Sequence, residues 1–227
     1  MNQEQKLKKL FQSRRGIIFD FDGLLVDSEP FHYKAYNAVF EEYGHTINPD
    51  EYWIEFTSLG NGVRGEIERY GLKGLDADEI RKKKFILYSE FCRNGDILFF
   101  PLAEKLIRSA ESSGCKLAIA SGSRNEDIQT ILEMNGFGNI FHLIMGKESA
   151  PREKPAPDIF IKTAEKLGIK PAELVILEDA EKGLRASKEA GIPCVIVRNK
   201  LNKNLKFPDA DFICDNLEEV IEAIEGA

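Results

Sequence analysis

The sequence predicts an α/β protein: a doubly wound parallel sheet with a small all-helical domain inserted after its first strand. Three observations lead there. Short apolar runs alternate with segments of helical period along most of the 227 residues. The apolar runs end in acidic or hydroxyl-bearing residues. One stretch, 29–96, breaks the alternation and contains no convincing buried strand. Alternation of this kind implies a parallel sheet with helices on both faces.

Taken in order, the strand candidates are Ile17–Phe21, Leu117–Ala120, His142–Met145, Leu174–Leu177 and Cys194–Val197, with Ile213 in a short final strand. Helical period recurs over 102–113, 125–135, 156–168, 181–190 and 217–225. Inside the insert, 29–44 is amphipathic, with Phe31, Ala35, Ala38 and Val39 on one face. Asp27 or Ser28 is suited to cap that helix, Pro30 fits its first turn and Gly44 its exit. Further helices are expected near 49–57, 63–70 and 77–93, and 93–101 is the return segment. The core then comprises 1–28 and 97–227, and the helical unit 29–96. Residues 1–15 form an N-terminal extension, read as a short helix or a frayed segment.

Composition narrows the function. Apolar residues make up 43% and charged residues 30%, as in an ordinary globular protein. A net charge of −7 argues against nucleic-acid partners, which need a basic face. The run Arg81–Phe85, RKKKF, reads as the solvated face of a helix. No apolar run approaches the roughly 20 residues that span a bilayer, and the polar N-terminus has no signal-peptide core. The cysteines Cys92, Cys115, Cys194 and Cys214 are widely spaced, which points to a reducing cytoplasm.

The strand ends carry the chemistry. In open α/β sheets, ligands bind outside the carboxyl ends of the strands. The first strand ends in Asp20-Phe21-Asp22-Gly23, the second in Ser121-Gly122-Ser123-Arg124-Asn125, and the fourth in Glu178-Asp179. Lys154 precedes a helix whose first turn holds Pro157 and Asp158. Clustered carboxylates raise each other's pKa values, and a hard cation such as Mg2+ relieves that repulsion. A lysine and a hydroxyl-rich turn at a helix start then suit phosphate oxygens. The combination fits phosphoryl transfer. Singly, each residue has a plainer reading as a turn residue, a helix cap or a surface lysine. Four such tips in chain order make coincidence a poor explanation.

On these motifs the chain resembles the haloacid dehalogenase-like superfamily, in the branch with a helical cap after the first strand that includes β-phosphoglucomutase-like phosphatases. The resemblance rests on Asp20-x-Asp22-Gly23 followed by Asp27-Ser28, with Ser121, Lys154-Pro155 and Glu178-Asp179. It implies Asp20 as the nucleophile that forms an aspartyl-phosphate and Asp22 as the general acid/base. Ser121 is then the phosphate-binding hydroxyl, with Gly122 and Ser123 adding contacts, and Lys154 the neutralising lysine. Mg2+ is the implied cofactor, held by Asp20, the backbone carbonyl of Asp22 and Asp179, with Glu178 as a further ligand or the orienter of a bound water. Asp22 favours phosphoryl transfer over C–halogen cleavage. Ala180 and Gly122 depart from residues common in relatives without removing an essential group.

The substrate is less accessible. His32 resembles a cap-hinge histidine placed to orient Asp22; its plainer reading is a partly exposed helix residue. Arg124 and Asn125 match positions near substrate in relatives. In the cap, Asn61 or Arg64 is expected to face the substrate, the alternative for Arg64 being a solvated helix face. Gly60-x-Gly62-x-x-Gly65 lacks the strand a dinucleotide site needs and reads as a lid loop. The expectation is a Mg2+-dependent phosphatase of a small phosphorylated metabolite, a monomer or weak dimer. The alternatives are a phosphosugar mutase and, outside the enzymes, a receiver-like module.

Overall fold

The computed structural model describes residues 2–227. Six parallel strands, β1 Gly16–Phe19, β2 Lys116–Ala120, β3 Leu143–Met145, β4 Leu174–Glu178, β5 Cys194–Val197 and β6 Phe212–Cys214, form one sheet in the order β3-β2-β1-β4-β5-β6. The central strand β1 pairs with β2 on one side and β4 on the other over the same four residues, Gly16 to Phe19. It is buried on both faces, which is why its apolar run is continuous rather than alternating. The paired strand stops before Asp20 and Phe21. The backbone N–H of Asp20 still donates to Leu177 O at 2.9 Å, and the chain then folds into a tight loop.

Helices cover both faces. One layer holds α1 Gln3–Gln12, α6 Ala103–Ser112, α7 Asn125–Met134 and α10 Leu217–Glu225, whose apolar sides join the larger core cluster with Phe19, Leu117 and Val195. The other face is packed by α8 Asp158–Leu167 and α9 Glu181–Ala190 around Ile18, Ala118 and Ile176. The N-terminal extension is ordered as helix because Leu7 and Phe11 bury themselves in the core. Among the described residues, no helix is long and apolar enough to cross a membrane.

The helical cap contains α2 Glu29–Glu41, α3 Pro49–Tyr52, α4 Gly62–Tyr70 and α5 Ala77–Asn94 around Val39, Phe40, Ile47, Tyr52, Val63 and Ile80. A wide π-helical turn, Trp53–Ser58, continues α3 and buries three successive residues, Phe56, Thr57 and Ser58. The expected helix over 49–57 therefore changes pitch halfway, from α3 into a wide turn of a kind that is rare and often found at functional sites. Ser28 does not cap α2: its side chain makes no cap bond and donates instead to Asp22 Oδ1 at 2.6 Å. Asp27 pairs with Lys200 at 3.0 Å. The two chain crossings between core and cap run side by side, with Asp27 N donating to Leu98 O and Phe100 N to Leu25 O, both at 2.9 Å.

Candidate active site

The carboxyl ends of β1, β2 and β4 converge beneath the cap. Lys154 is the hub. Its ammonium, with a side chain 5% exposed, donates to Asp20 Oδ1 at 2.6 Å, Glu178 Oε1 at 2.7 Å and Ala120 O at 2.9 Å. Glu178 spends its second oxygen on the backbone N–H groups of Asp179 and Ala180, at 2.9 and 3.0 Å. Its carboxylate lies against Gly183, where an added Cβ would fall 1.8 Å from Oε1. Gly23, at φ +80°, admits Asp179 in the same way: a Cβ there would sit 2.3 Å from Asp179 Oδ2.

Asp20, Glu178 and Asp179 each offer an oxygen, all within 4.8 Å of one another. When all are ionised, these three carboxylates and one ammonium leave two surplus negative charges. Burial pushes the Asp20 carboxyl up, the neighbouring Glu178 adds to the shift, and Lys154 only partly offsets it. Asp179 is pushed well up by burial and by the same neighbours, Glu178 and Asp20. The donors are all oxygen, the surplus is two charges, and Asp179 Oδ1 takes no protein hydrogen bond among the described residues. This set fits a divalent cation of the Mg2+ type.

Asp22 stands in a different environment. Ser28 and His32 meet its Oδ1 at 2.6 and 3.1 Å, and Ser121 and Ser123 donate to its Oδ2 at 2.8 and 2.7 Å. Burial alone raises this carboxyl, but His32 and the hydroxyl donors outweigh it and hold Asp22 well below the usual carboxylate range. Two acids separated by one residue therefore hold their protons with very different affinities, as two distinct jobs require. Ser121 and Ser123 are thus drawn to Asp22 rather than capping α7, whose cap position is Arg124 with no side-chain bond.

The cap completes this arrangement through a lysine. Lys84 Nζ lies 2.7 Å from His32 Nδ1 and over the faces of Tyr88, Phe85 and Tyr36. Tyr88 stacks on the His32 ring at 3.8 Å. An ammonium can only donate, so a charged Lys84 facing Nδ1 favours the tautomer that carries its proton on Nε2, toward Asp22. Lys84 belongs to the run expected to be a solvated face; instead it is buried, 3% exposed. It occupies the apolar stripe of α5, four residues after Ile80 and four before Tyr88, and that lysine inside a helical period was the signal available in the sequence.

Burial lowers Lys84 to about 8, against the pull of Asp22 and Glu29. A folded-state pKa below the unfolded 10.5 means that the buried charge costs stability below about 8 and that the cost disappears as pH rises to 10.5. Lys84→Met is therefore expected to stabilise the fold at pH 7, by up to about 3 kcal/mol. The gain should shrink toward zero by pH 10.5, as read in urea unfolding. Turnover should fall about 10-fold or more as His32 loses its orientation. A variant less stable than wild type at pH 7 would count against this account.

A cavity of about 150 Å³ lies between the cap and these strand ends. Asp20, Asp22, Gly122, Ser123, His32, Lys154 and Asp179 line it. Four expected substrate contacts do not. Arg124 pairs with Asp127 at 3.0 Å and reaches cap residue Ser89, clasping α7 to α5. Asn125 accepts from Gly146 N at 2.6 Å and so braces the loop after β3. Asn61 donates to Glu55 on the surface, and Arg64 is exposed, because α4 turns Val63 and Glu66 inward and leaves residue 64 outside. The cavity's cap side is formed instead by Glu29, Tyr36, Tyr52, Thr57 and Arg81, with Lys182 entering from α9.

The sequence pattern of the haloacid dehalogenase-like hydrolases matches residues 17–197. The chain belongs to this family. YhcW of Bacillus subtilis (strain 168) is 31% identical over 213 residues, covering 91% of this chain and 93% of that protein. The fructose-1-phosphate phosphatase YqaB of Escherichia coli (strain K12) is 27% identical, over 83% of this chain and 99% of its own. The crystal structure of CbbY from Rhodobacter sphaeroides in complex with phosphate superposes with a TM-score of 0.80 at 27% identity, over 91% of this chain and 96% of that one.

Proposed function

We propose that this haloacid dehalogenase-like hydrolase, a phosphoric monoester hydrolase, is a Mg2+-dependent phosphatase of small phosphorylated sugars that works through an aspartyl-phosphate on Asp20. The observation that carries the reading is the buried cluster of Asp20, Lys154, Glu178 and Asp179 beside the separately wired Asp22, with Asp20, Asp22, Lys154 and Asp179 lining one capped cavity. Asp20, Asp179 and the Asp22 carbonyl would hold Mg2+, with Glu178 fixing Lys154 and the turn beside it. Bound there, the cation supplies charge neutralisation for the carboxylates and the phosphate oxygens.

An Asp20 oxygen attacks phosphorus as the ester oxygen leaves, and that oxygen takes a proton from Asp22. A water then attacks phosphorus and gives its proton to Asp22, releasing phosphate and restoring Asp20. Phosphate oxygens compete for the Ser121 and Ser123 hydroxyls that otherwise hold Asp22 ionised. Substrate binding thereby raises the proton affinity of Asp22, as its role as acid needs. The cap keeps bulk water from the phosphorylated Asp20.

The sugar class is supported by relatives: YqaB is named for fructose 1-phosphate, and CbbY has been solved with xylulose 1,5-bisphosphate. The mutase reading has no observation of its own. A receiver-like module needs no capped cavity. Four free cysteines fit a reducing cytoplasm.

With Mg2+, the purified protein should release inorganic phosphate from a phosphosugar without any bisphosphate activator, and chelation should abolish release. Arg81→Ala should raise KM several-fold, whereas Arg64→Ala should leave it within twofold. Isomerisation of the substrate without phosphate release would overturn the reading.

A further inference from the structure

The loop after β5 carries an arrangement that the sequence reading did not single out. Arg198 folds it by donating to the carbonyls of Asn202, Lys203 and Leu205, each at 3.1 Å. Two asparagines then lock together. Asn199 N donates to Asn202 Oδ1 at 2.9 Å, and Asn199 Oδ1 accepts from Leu201 N and Asn202 N at 2.8 and 3.0 Å. Asn202, 4% exposed, donates its amide hydrogens to the backbone carbonyls of Asp179 and Val197, at 2.8 and 2.9 Å.

The orientation of the Asn199 amide follows from these bonds. Its oxygen faces two N–H groups, so its nitrogen has to face the other way. There it meets two acceptors, Asp179 Oδ2 and Gly23 O, each at 2.9 Å. Both amide hydrogens are used. One holds an oxygen of Asp179. The other holds the backbone just after Asp22, in the turn where Gly23 lets that same oxygen approach.

We propose that Asn199 is a positioning residue for cation binding. It pins one oxygen of Asp179 and the turn carrying the Asp22 carbonyl in one array, leaving Asp179 Oδ1 to the cation. The proposal rests on the metal-dependent reading above. Groups that orient the residues around a metal typically contribute 10- to 100-fold in affinity. They do so by fixing donors that would otherwise have to be ordered at the moment of binding. Lys200, the next residue, is the natural control, because it pairs with Asp27 and makes no bond to Asp179.

The test measures Mn2+ binding directly, by the paramagnetic resonance signal of the free ion, with Mg2+ as competitor and no substrate present. Asn199→Ala should weaken binding about 10- to 100-fold. Asn199→Ser, whose shorter hydroxyl can still accept from the turn amides, carries the same test with a smaller loss should the alanine variant fail to fold. Lys200→Ala should stay within about twofold of wild type. Phosphate release by Asn199→Ala should return to within about threefold of wild type once Mg2+ is raised to saturation.

Unchanged Mn2+ affinity in a folded Asn199 variant overturns the proposal. So does a loss of turnover that excess Mg2+ does not restore, because that marks a merely structural role. A wild type that binds Mn2+ but hydrolyses no phosphoester sinks the phosphatase reading alone, and the affinities still decide the role of Asn199. A wild type that binds no Mn2+ sinks both.

Discussion

Asp20→Asn should abolish phosphate release, by about 10^4-fold or more, while leaving the fold intact. Asparagine keeps the shape of the side chain but offers no oxygen that can form and release an acyl phosphate. The same change should raise the thermal stability of the metal-free protein at pH 8. The sign follows from the direction of the shift. Asp20 binds its proton more tightly folded than unfolded, since burial and Glu178 outweigh Lys154. Its ionisation therefore costs stability as pH rises from the unfolded value of 3.8 through the folded one. A neutral isostere removes that cost. The melting temperature should rise by a few degrees without Mg2+, and the difference should narrow when Mg2+ is added. Acid-quenched protein should carry label from a phosphorylated substrate in wild type and none in the variant. Turnover above about a hundredth of the wild-type rate would rule Asp20 out as nucleophile.

Lys154→Met should damage both activity and stability. The lysine bridges Asp20 and Glu178 with a side chain 5% exposed. Removing it leaves buried carboxylates without the one ammonium that pairs with them among the described residues. Breaking a buried ion pair from one side costs about 3–5 kcal/mol. The penalty should be larger at pH 8 than at pH 5, because the abandoned carboxylates can take up protons at the lower pH. Mg2+ should recover part of the stability by supplying the missing charge. It should not recover turnover, which is expected to stay down about 100-fold or more because Lys154 holds Asp20 at the angle of attack. Equal destabilisation at both pH values would show that packing, and not charge, is what the lysine contributes.

The parts of the protein legible in its sequence are those built from repeating patterns. The buried strand β1 and the alternation of strands with α6 to α10 are continuous apolar runs and helical periods. The acids at the strand ends stand out because polar residues close an apolar run. What escaped the reading depends on rotation or on distance. Arg64 and Arg81 are both arginines on cap helices, and only the phase of each helix decides which one faces the cavity. Trp53–Ser58 changes pitch, and no spacing in the sequence announces a wider turn. Arg124 has Asp127 one turn away on its own helix and Ser89 across on α5, so a residue suited to phosphate is spent on holding cap to core. Asn199 belongs to no period at all, and one of the bonds of its amide joins segments 176 residues apart.

The paired crossings at Leu25–Asp27 and Leu98–Phe100 also bear on how the lid can travel. A single strand would act as a swivel, free to twist in any direction. Two strands tied by backbone hydrogen bonds form a leaf spring, which flexes easily across its flat face and resists sliding within its plane. A lid hinged in this way would have one soft direction of travel. Any closure along that direction would return Lys84 and His32 to Asp22 by the same arc, so the hinge as well as the pocket would set how the proposed acid is placed.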